Sequence, residues 1–206
     1  METTSATVLT GYSEQEKAAY LGALAALATA DREADTEELE HLREIAHAAG
    51  ISSTEEQRII EAAKDTSGQN LKKNLDALKG SNLKYSLITD LIALAKADDT
   101  YSDDEKQNIE KVASYVDVNH NQFSVLNQAV SKAADEKRSP EEISKPDFIE
   151  SSGMQQQFSN AGLNLGSMGK SIFGFLGPVL LGTLAGKAIG GGRRGGCAPR
   201  RARARA

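Results

Sequence analysis

The stretch ALATADREADTEELEHLREIA starts at Ala26, and ALAKADDTYSDDEKQNIEKVA follows at Ala93, an offset of 67 residues. Aligned from Leu24 and Leu91, the two segments are identical at eight of 29 positions. Leu24/Leu91, Ala26/Ala93, Leu27/Leu94, Ala30/Ala97, Asp31/Asp98, Glu38/Glu105 and Ala46/Ala113 are among them, with Leu42/Ile109, Ile45/Val112 and Ile51/Val118 as conservative pairs. Self-similarity at a fixed offset constrains a fold more than any local propensity, because each copy must form the same supersecondary unit. Each copy reads as an apolar helix, an acidic turn and an amphipathic helix. Two such units should pack around Leu24, Leu27, Leu42, Ile45, Leu91, Leu94, Ile109 and Val112.

Helix signals fill in the rest. Ser13-Glu-Gln-Glu16 is a capping box, and the following run to Ala30 places Ala18, Leu21, Ala25 and Ala28 on one stripe. Asp35-Thr-Glu-Glu38 opens a second helix that ends at Gly50, a C′ residue, and Ser53-Thr-Glu-Glu56 opens a third. Further helices are predicted over 69–79, 81–97, 103–116 and 120–134, and Pro140 and Pro146 end the pattern. No segment alternates with strand period. The expected fold is all-α, a seven-helix bundle built from two duplicated helix–turn–helix units.

Charge divides the chain. Residues 1–150 hold all 29 acids against 16 bases; residues 151–206 hold no acid, eight bases and 13 of the 18 glycines. Composition therefore separates a helical domain at 12–136, a linker at 137–160, a Gly-rich hydrophobic segment at 161–192 and an Arg-rich tail at 193–206. One cysteine, Cys197, excludes an intramolecular disulfide. YLGALAALATA, from Tyr20, is preceded by acids with Lys17 the single nearby base, so it reads as a core helix rather than a secretory signal. A cytoplasmic location follows.

The motif in which an apolar helix ends in Ala-Asp, then turns, then presents an acid or Ser with Glu three residues on, resembles that of the tellurite-resistance TerB family. Ala30-Asp31 through Glu38 is one copy and Ala97-Asp98 through Glu105 the second; the resemblance covers about residues 12–136. Arg32 and Asp99 stand where the family pattern has Gly. The resemblance implies a seven-helix fold, no catalytic activity, and a role in chemical stress that involves cation binding.

Each turn holds five acids in eight residues, over 31–38 and 98–105. Capping accounts for Asp35 and Ser102 as N-caps and for Glu38 and Glu105 as their N3 partners. Asp31 and Asp98 each end a helix, where the macrodipole opposes negative charge by ~0.3–1 kcal/mol. A compensating cation is the functional alternative to solvated caps. Asp31, Asp35, Glu38, Asp98, Ser102 and Glu105 are the candidate ligands, with hard oxygen donors suited to Ca²⁺ or Mg²⁺. Lys96 cannot compensate Asp98, because i, i+2 positions do not share a helix face. The spacing is not that of an EF-hand. His41, His47 and His120 lack ligand spacing, and no phosphate loop or nucleophile–base pair is present, so an enzyme is not expected.

The tail offers a membrane reading. Lys170 and Lys187 bracket 16 uncharged residues, ~24 Å as a helix against ~30 Å for a bilayer core. With the C-terminal arginines favouring the cytoplasmic side, a hairpin or interfacial segment fits better than a span. Ile172, Phe173, Phe175, Leu176, Val179, Leu180, Leu181 and Leu184 would enter the lipid, and Arg193, Arg194, Arg200, Arg201, Arg203 and Arg205 would meet anionic headgroups. The chain would then act at the cytoplasmic face of the membrane as a sensor or scaffold. The alternative is an adaptor whose Gly-rich tail self-associates or docks into a protein complex. So apolar a segment beside the arginines argues against nucleic acid.

Overall fold

In the computed structural model, the residues described are 9, 11–28, 36–65, 67–96, 101–136 and 147–164. They form an all-helical body with no strand among them: α1 (Glu14–Ala28), α2 (Thr36–Ala48), α3 (Ser53–Lys64), α4 (Gln69–Leu78), α5 (Leu83–Lys96), α6 (Asp103–Tyr115), α7 (His120–Asp135), α8 (Phe148–Ser151) and α9 (Gln155–Asn160). The Ser13 capping box is formed, with the Ser13 amide donating to Glu16 Oε2 at 2.9 Å and the Glu16 amide to Ser13 Oγ at 3.3 Å.

α1 packs chiefly against α3 and α4 and also meets α5, while α5 packs against α6 and α7. In both units the first helix lies on the third, and the second also touches the third. Leu24, Ile45, Leu91 and Ile109 are buried as expected, and Leu27, Leu42 and Val112 are half-buried against the same cluster. Leu94 is half-exposed. The single stripe expected on α1 is not what forms: every residue from Ala18 to Ala26 is buried. A helix apolar all round belongs at the centre of a bundle, and α3, α4 and α5 supply the neighbours that put it there.

The duplication is visible in how the second helices end. After α2, Gly50 adopts φ 70°, its amide donates to His47 O at 3.0 Å and that of Ile51 to Ala46 O at 3.0 Å. After α6, Asp117 adopts φ 60°, its amide donates to Ser114 O at 3.3 Å and that of Val118 to Ala113 O at 2.8 Å. These are Schellman caps at positions 67 apart, each closed by a buried apolar pair, Ala46/Ile51 and Ala113/Val118. Ser52 and Asn119, again 67 apart, then N-cap the third helices.

Two segments depart from the sequence reading. The cap of α3 is Ser52, not Ser53, and its side chain makes no capping bond; instead its amide donates to Glu14 Oε1 of α1 at 2.7 Å. An acid from a helix packed alongside thus supplies what a local cap would. Residues 147–160, assigned by composition to the linker, form α8 and α9 on the body. Phe148, Ile149, Met154, Phe158 and Leu163 are buried in the shared core, and α9 lies against α7. Gly153 and Gly162 close both short helices with further Schellman caps, pairing Ile149 with Met154 and Phe158 with Leu163.

Candidate functional site

The second acidic turn joins α5 to α6. Its capping box is complete: Glu105 Oε2 accepts from the Ser102 amide at 2.8 Å and from its hydroxyl at 2.9 Å, and Ser102 Oγ accepts from the Glu105 amide at 3.2 Å. Bonds from Ser102 hold the Glu105 carboxyl below its ordinary pKa. Asp103 and Asp104 are exposed in the first turn of α6, where the positive helix end favours them. Ser102 and Glu105 are therefore brought together, by the cap. Asp31, Asp35 and Asp98, and the side chain of Glu38, lie outside the described residues. Among the described residues no group of three or more His, Cys, Asp or Glu is arranged to hold a metal.

Lys96, at the end of α5, turns toward α7. Its ammonium donates to Ser131 Oγ at 2.9 Å and stands 4.7 Å from the centroid of the Tyr101 ring. Burial lowers its pKa, partly opposed by Asp135. Tyr101 sits inside the acidic turn with its hydroxyl buried and without a hydrogen-bond partner among the described residues. Burial, with Glu110 and Glu105 adding negative potential, pushes its pKa up to about 12. The sequence signalled neither contact; a lone aromatic in an acidic turn is the one cue it offered.

A second missed feature is a buried polar bond between the units. The Tyr20 hydroxyl of α1 donates to Asp90 Oδ2 of α5, and both residues are 0 % exposed. The cue was an isolated acid inside the apolar run from Leu87 to Leu94.

A cavity of about 310 Å³ opens between α1, α3 and α4, with Ala18, Ala19, Ile59 and Ala77 below Glu55, Arg58, Glu61, Asn70, Lys73 and Asn74. Arg58 and Glu55 pair with each other, and among the described residues no His or Cys lines the space. Elsewhere His47 is exposed, and His120 Nδ1 lies 3.7 Å from Glu110 Oε1 at the surface; the His41 side chain lies outside the described residues.

A family model described as tellurite resistance protein TerB matches residues 16–128. The chain belongs to the TerB family. The TerB match takes in both acidic turns and ends within α7, so α8 and α9 lie outside the match. Comparisons with curated proteins and with solved structures gave no match. Among the described residues, no helix is long and apolar enough to cross a membrane. The apolar residues from Ile172 to Leu184 and the six arginines from Arg193 to Arg205 all lie outside the described residues.

Proposed function

We propose that this TerB protein is a non-catalytic module of a tellurite-type stress response, a sensor or scaffold whose acidic turns take a divalent cation and whose tail engages membrane lipid. The observation that carries the reading is the family match across both turns, residues 31–38 and 98–105. The second turn adds physical support: the cap engages Ser102 and Glu105, and Asp103 and Asp104 stand in the first turn of α6, so of its five acids Asp98 and Asp99 are the two outside that helix. Lys96, the nearest base in sequence, donates to Ser131 of α7. If the turns bind Ca²⁺ or Mg²⁺, millimolar metal raises the melting temperature by linkage. Asp31→Asn with Asp98→Asn removes that rise while the apo protein still folds; an equal response in wild type and double variant leaves capping as the whole account of the acids. Membrane engagement is tested by fractionating the full chain against a truncation after Asn164. Truncation at Glu150 would be a poor control, since it deletes the buried Met154, Phe158 and Leu163. Equal partitioning of the two proteins into the soluble fraction would end the membrane reading.

A further inference from the structure

α3 and α4 both pack on α1 and only lightly on one another. The valley between them is the cavity of about 310 Å³, at the small end of the ~300–1,000 Å³ range of ligand sites. Its floor depends on small residues. α1 presents Ala18 and Ala19 there, and a Cβ on Gly22, next along the same stripe, would collide with Asn74 Nδ2 of α4. The duplication supplies an internal comparison. At the offset of 67, Ala18, Ala19 and Gly22 correspond to Tyr85, Ser86 and Thr89, and Glu55 and Arg58 of α3 correspond to Gln122 and Val125 of α7. Gln122 and Val125 are buried, whereas Arg58 is exposed and Glu55 half-exposed. The opening therefore comes from residues particular to the first copy and is not a by-product of the repeated unit.

The charges on the walls balance but are not all paired. Glu55 and Arg58 bond to each other within α3. Among the described residues, Glu61 of α3 and Lys73 of α4 form no ion pair, with each other or elsewhere, and the half-buried Asn74 amide makes no hydrogen bond. We propose that this cavity binds a small zwitterion with an aliphatic body, of the class of the free aliphatic amino acids. The ligand carboxylate meets Lys73 and the Asn74 amide, its ammonium meets Glu61, and its apolar chain lies on Ala18, Ala19 and Ile59. The lining selects this class by its charges. Its two acids and two bases sum to zero, so an anion leaves Glu61 covered without a partner and a cation leaves Lys73 so. An apolar ligand covers both without answering either. A zwitterion answers each charge with its opposite. This inference is independent of the cation and membrane readings.

The test titrates the isotopically labelled full chain with leucine, glycine, N-acetyl-leucine and leucine amide, and reads backbone amide shifts by NMR. Leucine at millimolar concentration should give saturable shifts centred on the residues of α1, α3 and α4 that line the cavity. Glycine lacks the aliphatic chain, N-acetyl-leucine the ammonium and leucine amide the carboxylate, so each should bind about tenfold or more weakly. Lys73→Gln should weaken leucine about tenfold and leave leucine amide unchanged, and Glu61→Gln should weaken leucine similarly and leave N-acetyl-leucine unchanged. Both side chains are exposed, and unchanged circular dichroism establishes that the variants fold. No saturable shift with leucine, or shifts centred elsewhere, overturns the proposal. N-acetyl-leucine binding as tightly as leucine would make this an anion site, and leucine amide doing so a cation site; either overturns the zwitterion. Glycine binding as tightly as leucine would show that the apolar floor is not engaged, and overturns the aliphatic class.

Discussion

Replacing Tyr20 with Phe removes one hydroxyl and leaves the ring, so it isolates the polar bond between the two units. Tyr20 and Asp90 are 70 residues apart and both 0 % exposed, on the central helices α1 and α5. The apolar contacts of the ring persist, and the area term is nearly unchanged. What is lost is a hydroxyl donor to a buried acid, a bond worth ~1.5–3 kcal/mol where that acid is ionised. In a domain of this size ~1 kcal/mol moves the midpoint by ~2–4 °C, so the expected fall is ~3–12 °C. Asp90→Asn keeps an acceptor oxygen of the same shape but makes the bond neutral. In that background Tyr20→Phe should cost only ~0.5–1.5 kcal/mol. Urea melts of the four proteins close the double-mutant cycle, with an unchanged m-value required of each. A Tyr20→Phe cost below ~0.5 kcal/mol, or equal costs in the two backgrounds, would show that the pair does not join the units energetically.

The paired Schellman caps give a prediction of opposite signs. A Cβ at Gly50 meets nothing within 4 Å, so Gly50→Ala is charged only with left-handed strain, ~1–2 kcal/mol, whereas Asp117→Gly relieves strain and should stabilise by ~0.5–1 kcal/mol; like signs in thermal melts refute this. Glu14, Glu16 and Glu105 have folded pKa values below the ordinary 4.5, so the stability they contribute is present above that value and is lost as pH falls through their folded values. Glu105→Gln, which retains the cap, should therefore flatten the acid limb below about 4.5 in a plot of melting temperature against pH; an unaltered limb argues against it. Tyr101→Phe removes a buried hydroxyl that has no partner among the described residues, and should leave the protein as stable as wild type or ~1 kcal/mol more so. The same change should weaken the alkaline loss of stability, because a phenol raised to about 12 in the fold favours folding less as the unfolded phenol ionises from 10 upward; a destabilised Tyr101→Phe protein would refute both.

How much of this was legible in the sequence depends on whether the cause was local. The Ser13 and Ser102 capping boxes were readable because donor and acceptor lie three residues apart. Gly50 announced its own left-handed turn. Asp117 takes the same conformation without glycine, and only the offset of 67 identifies it. Glu14 capping α3 was not readable, since the acid and the amide it serves are 38 residues apart and meet through helix packing. The all-round burial of α1 was hidden for the same reason. Alanine at five of the nine positions from Ala18 to Ala26, among other apolar residues, suits several stripes equally, and only the neighbouring helices decide that all nine are covered. Of the candidate cation site, Ser102 and Glu105 are placed by the capping box, and Asp98, against which Lys96 was read, lies outside the described residues.

The segment from Asp147 to Asn164 changes what the tail is attached to. Pro140 and Pro146 made residues 137–160 look like a linker, yet four apolar side chains there, and Leu163 just beyond, are buried in the body. At ~1.5–3 kcal/mol for each large apolar side chain, Phe148, Ile149, Met154, Phe158 and Leu163 represent roughly 10 kcal/mol of gross burial, too much for a loosely held strap. The apolar run from Ile172 therefore begins eight residues beyond Asn164, the end of a packed segment. Eight residues reach at most ~29 Å when extended, so whatever captures Ile172 is held within that distance of Asn164 and hence close to the helical body.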